Sequence, residues 1–128
     1  MAKMILLADE DVRFVERSRT VLEEHGYEVR VVASGRVSVE QALRERPDLI
    51  VLKMLSQGEL VGFDISRELR NCEHTRSIPL VVITSEGETP YAVEPDKTWL
   101  PVDALIARPV EPETLLGVVN RVLKGAKA

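Results

Sequence analysis

Cysteine is nearly absent from this chain, with Cys72 standing alone among 128 residues. There is no second thiol for an internal disulfide and no set of thiolates for a metal, a usage that suits a reducing compartment. Histidine is almost as scarce: His25 and His74 are far apart and neither falls in a metal-ligand spacing, so both are expected on the surface or at helix ends. Long apolar runs are also missing. The stretch near the start, Met4 to Ala8, is far shorter than a signal-peptide core or a membrane span. No Gly-x-Gly-x-x-Gly or Walker-type glycine loop follows it, which removes the backbone cradle for a nucleotide phosphate. An excess of positive charge is lacking too. Lys and Arg number 17 against 21 Asp and Glu, for a net charge of -4, and the basic residues are scattered rather than gathered on one face as nucleic acid would require. The expectation is a cytoplasmic protein that contacts neither nucleic acid nor membrane. What is present is a hydrophobic fraction of 45%, ample for the core of one compact domain, assigned to residues 1–125 with 126–128 as a frayed tail or the start of a linker.

Short apolar runs alternate with amphipathic stretches, the pattern of a parallel sheet wrapped by helices. Met4–Ala8 reads as the first strand, and a helix over about Val12–Glu24 is stopped by Gly26, where a glycine accepts positive φ without a side-chain clash. Glu28–Val32 is a second strand, and a second helix opens at Ser34-Gly35 and is ended by Pro47. Asp48–Leu52 is a third strand. A loop from Ser56 to Gly62 leads to a third helix, Phe63 to about Asn71, and Pro79–Ile83 is a fourth strand ending at Thr84-Ser85. From Glu86 to Val102 the chain is irregular, because Pro90, Pro95 and Pro101 each interrupt a helix. A short fifth strand, Ala104–Ala107, precedes a last helix that begins near Pro112 and closes at Gly125.

In an open parallel sheet, ligands bind outside the carboxyl ends of the strands. The first strand delivers Asp9 and Glu10 there, the third Lys53, the fourth Thr84 and Ser85, and the fifth Arg108.

An acidic pair, a strand-three end, a Thr closing strand four and a basic-Pro dipeptide after strand five, in this order, resemble the receiver domain of two-component response regulators. Glu23-Glu-His-Gly-Tyr27, Arg46-Pro-Asp-Leu-Ile-Val-Leu52, Gly62-Phe63, Thr75-Arg-Ser-Ile-Pro79 and Arg108-Pro109 extend the resemblance over essentially the whole chain. It implies an α/β, flavodoxin-like, doubly wound five-stranded parallel sheet in the order 2-1-3-4-5, helices on both faces, and a fourth helix, between strands four and five, that is short or irregular here. In that family the acidic pair helps bind Mg²⁺, the aspartate ending strand three accepts a phosphoryl group from a histidine kinase, and a hydroxyl residue and a lysine contact the phosphoryl oxygens. Asp9 and Glu10 match the acidic pair, and Thr84 the hydroxyl residue. The departures are Arg108 in place of the lysine, Leu105 in place of an aromatic switch residue, and Lys53 in place of the phosphoacceptor.

Charge counting gives these departures a common sense. A working receiver gathers three carboxylates that a divalent cation and a lysine must offset, whereas Asp9, Glu10, Lys53 and Arg108 balance without metal. The ammonium of Lys53 is expected near the cation's place, most simply as an ion pair with Asp9, so neither a resident metal nor a cofactor is expected. Lysine beside carboxylates stays charged and is a poor nucleophile. Asp48 cannot substitute, since it starts the same strand about 16 Å away at roughly 3.3 Å per residue. The pocket Asp9, Glu10, Lys53, Thr84 and Arg108 thus reads as degenerate, with no catalytic residue. The expected function is that of a phosphorylation-independent receiver, not an enzyme, which binds a signalling protein of unknown identity or a second copy of itself. Tyr91, Trp99 and Leu105 mark the candidate partner surface, as exposed aromatics often anchor interfaces. The alternative is a Mg-dependent phosphoacceptor receiver that uses another residue.

Overall fold

The computed structural model describes residues 2–32, 35–53, 61–84, 102–107 and 110–124. Five strands and four helices follow one another as β1 (Met4–Ala8), α1 (Val12–Glu24), β2 (Glu28–Val32), α2 (Gly35–Glu45), β3 (Leu49–Lys53), α3 (Val61–Asn71), β4 (Leu80–Thr84), β5 (Ala104–Ala107) and α4 (Pro112–Leu123). All neighbouring strands pair in parallel in the order β2-β1-β3-β4-β5, as expected. The connection from β4 to β5, and with it the short or irregular helix expected there, lies outside the described residues, so α4 here is the C-terminal helix.

Alternation along the strands divides the core in two. Ile5, Leu7, Leu49, Val51, Val81, Ile83 and Ile106 point to one face and are covered by Phe14, Val15 and Leu22 of α1 and Leu115 and Val119 of α4. Leu6, Ala8, Ile50, Leu52, Leu80 and Val82 point to the other and are covered by Ala42 of α2 and Ile65 and Leu69 of α3. This is the arrangement that right-handed crossovers dictate, since the chain steps leftward from β1 to β2 and rightward ever after. Burial on both faces explains why β1, β3 and β4 read as unbroken apolar runs.

Helix ends obey local chemistry. Asp11 caps α1 by accepting the Phe14 N–H at 3.2 Å. At the other end Gly26, at φ 92°, closes a Schellman motif: its N–H donates to Glu23 O and the Tyr27 N–H to Leu22 O, each at 3.1 Å. Arg46 plays the equivalent part after α2 at φ 50°, its N–H donating to Ala42 O at 2.9 Å before Pro47 turns the chain away.

Three boundaries differ from expectation. β3 runs from Leu49 to Lys53 rather than from Asp48 to Leu52, because Asp48 is engaged with the start of β1: its N–H donates to Met4 O at 2.8 Å and its Oδ2 accepts the Met4 N–H at 2.7 Å. β4 begins at Leu80, since Pro79 has no N–H and contributes only its carbonyl, to Ile50 N at 3.0 Å. α3 takes in Val61 and Gly62, where the glycine points to loop; first-turn N–H groups lack intrahelical partners anyway, so a glycine is tolerated there. No helix among the described residues is long and apolar enough to cross a membrane.

Candidate functional site

Strand register brings the candidate residues to one edge. Ala8 pairs with Leu52, Lys53 with Ile83, and Thr84 with Ala107, so the chain leaves β1, β3, β4 and β5 side by side. The order of the sheet reverses between β1 and β3, which puts Asp9, Glu10 and Lys53 at its switch point.

The acidic segment after β1 is ordered by its own backbone. Asp9 is only 5% exposed; its Oδ1 accepts the Asp11 N–H at 2.9 Å, and its N–H donates to Val32 O at 3.2 Å. With Asp11 capping α1, two carboxylates sit at the positive end of that helix, where the aligned peptide dipoles favour them. Glu10 turns outward. Lys53 Nζ lies 3.3 Å from Glu10 Oε1, with the lysine side chain 24% and the glutamate 43% exposed. The recorded ion pair of Lys53 is therefore with Glu10, at the rim of the crevice, where the simplest expectation put it on the buried Asp9.

Such a donor set does not suit the divalent cation that the resemblance implies. Mg²⁺ holds a near-octahedral shell of oxygens, and here one of the two carboxylates already faces an ammonium at 3.3 Å. Among the described residues no three His, Cys, Asp or Glu side chains are grouped to hold a metal ion.

The remaining candidates divide. Thr84 closes β4 at the same edge. Leu105 on β5 is half-buried and packs against the core on the α2/α3 face. Arg108, Tyr91 and Trp99 lie outside the described residues.

Sequence reading missed one contributor at the site, Asp11, and two ties elsewhere in the fold. Asp11 carries a readable signal, an Asp directly before an amphipathic run. Tyr27, whose hydroxyl donates to Asn120 Oδ1 and so ties the α1–β2 turn to α4, carries none, nor does the pairing of Arg70 with Asp103 at 2.6 Å, because each links positions remote in sequence. Burial raises the Tyr27 phenol above its ordinary value.

Comparison with known proteins agrees with the fold. The family model for the response regulator receiver domain matches residues 5–120. Protein PilH of Pseudomonas aeruginosa is 31% identical over 124 residues, covering 94% of this chain and 98% of that protein. Among solved structures, a response regulator from Chloroflexus aurantiacus superposes with a TM-score of 0.83 at 26% identity, covering 97% of this chain and 99% of the other. The chemotaxis response regulator CheY4 of Vibrio cholerae superposes with a TM-score of 0.82 at 23% identity, covering 95% and 99% respectively.

Proposed function

The chain belongs to the response regulator receiver domain family, and we infer that it signals without phosphorylation, by binding another protein. One observation carries this reading: Lys53 ends β3 at the switch point with its ammonium 3.3 Å from Glu10. Phosphoryl transfer to a receiver needs a carboxylate in line with phosphorus, and the development of charge in that transfer is normally offset by a divalent cation. A lysine supplies neither the nucleophile nor a metal ligand. It supplies a positive charge beside the acidic segment, and counted with Arg108, which follows β5 in sequence, the cations match Asp9 and Glu10 in number. The chain thereby keeps the fold of a signalling module and gives up its covalent switch.

In this reading the protein is a cytoplasmic pseudo-receiver with no catalytic residue and no resident metal. Its partner is a signalling protein or a second copy of the chain, and the candidate contact residues are Leu105 on β5 together with Tyr91 and Trp99 of the segment between β4 and β5, whose large amphipathic rings suit an interface. Incubation with a small phosphodonor and Mg²⁺, followed by intact-mass spectrometry, tests the proposal. Unmodified protein is the expected result. A stoichiometric phosphoryl adduct would overturn it in favour of an acceptor elsewhere in the chain.

A further inference from the structure

At the edge of the sheet opposite the site, each strand junction is tied by a bond at or beyond the strand ends. Glu28 N–H donates to Lys3 O at 2.9 Å between β2 and β1, and Asp48 brackets Met4 between β1 and β3. Ile50 N–H donates to Pro79 O at 3.0 Å between β3 and β4. Between β4 and β5, Asp103 repeats the motif of Asp48: its N–H donates to Leu80 O and its Oδ2 accepts the Leu80 N–H, both at 2.8 Å. In these two junctions of the four an aspartate one residue ahead of a strand grips the first residue of its neighbour through both backbone and side chain.

The second grip has an added partner. Arg70, in the last turn of α3, donates through Nη2 to the same Asp103 Oδ2 at 2.6 Å, and through Nη1 to Arg76 O at 2.8 Å and Ile78 O at 2.7 Å. One guanidinium thus joins α3, the α3–β4 turn and the start of β5. The need for such a joint is plain. β5 is four residues long, lies at the rim of the sheet and, among the described residues, pairs with β4 alone, so its ladder holds it weakly. The joint is also partly exposed, with side-chain exposures of 22% for Arg70 and 29% for Asp103, so water can reach it.

We propose that Arg70 and Asp103 form a latch on β5, and that releasing it is the first local opening of the fold, freeing β5 and the α3–β4 turn while β1, β2 and β3 stay paired. Opening uncovers Val102 and Ile106, 7% and 9% exposed in the closed form, and so creates apolar surface at one rim of the domain. The latch does not depend on the role given to Lys53.

Hydrogen exchange read by mass spectrometry on the full chain tests this, using Arg70→Ala, Asp103→Asn and their combination, with Asp48→Asn as control. Asparagine keeps an oxygen for the Leu80 N–H and removes the carboxylate that holds Arg70. Each latch variant should speed exchange across 102–107 and 72–79 by about tenfold or more, with changes under about twofold in β1 and β3. The double variant should add little to the stronger single. Acceleration shared evenly by all five strands, or none in β5, would overturn the latch, as would the same β5 response from Asp48→Asn. Should the variants fail to fold, the wild type decides alone: β5 amides must exchange with a weaker urea dependence than those of β1 and β3, and equal dependence contradicts the proposal.

Discussion

At the scale of single residues, the energetic weight of Lys53 is modest. With Glu10 43% exposed, the Lys53–Glu10 pair is screened by water and adds about 0–1 kcal/mol to stability. Lys53→Ala should therefore shift a urea midpoint little, whereas a loss of about 1–3 kcal/mol would apply if the lysine neutralised a fully buried carboxylate. The buried carboxylate is Asp9, and its backbone hydrogen bond to Asp11 stays when Lys53 is truncated. Ser18 provides a test of the opposite sign. Its hydroxyl is fully buried in α1 with no hydrogen-bond partner among the described residues. Ser18→Ala removes an unsatisfied polar group and improves helix propensity, so denaturant melts should show a gain of about 0.5–2 kcal/mol.

At the scale of elements, α1 and α4 are held together by apolar packing and by an exposed pair, Arg17 with Glu111 at 3.4 Å, while Tyr27, just after α1, bonds to Asn120. Because burial raises the phenol, its contribution is fully present below the unfolded tyrosine value near 10 and is lost as pH rises through the higher folded value. Tyr27→Phe should cost about 0.5–1.5 kcal/mol at neutral pH, and the gap from wild type should narrow as pH rises above the ordinary tyrosine value in urea melts followed by circular dichroism. The elements themselves were largely legible beforehand. Five apolar runs gave five strands, and Gly26 ended α1 as expected, because a positive-φ cap and doubly buried strands leave local marks. The one-residue shift at β3 was not legible, because Asp48 is defined by its bonds to Met4 on a neighbouring strand, which no local pattern records; the shift at β4 was, since Pro79 has no N–H for the ladder.

For the whole molecule, the parallel order of the sheet assembles the site, since residues from β1, β3 and β4 meet only through register. That convergence was readable from the βα alternation together with the family resemblance, and the matched family model bears out the receiver fold. Which acid takes Lys53 was not readable, because Asp9 and Glu10 are adjacent in sequence and the choice depends on the turn that Asp11 imposes as it caps α1. The outcome is a receiver fold whose third strand ends in a positive side chain, paired at the rim of the crevice with an outward-turned glutamate. The central claim is that this charge excludes a divalent cation, and calorimetric titration of Mg²⁺ into wild type and Lys53→Asp tests it most directly. Wild type should give no binding heat at millimolar Mg²⁺, and Lys53→Asp, with a third carboxylate at the crevice, should bind. Saturable binding to wild type, with an affinity that the substitution leaves unchanged, would contradict the account.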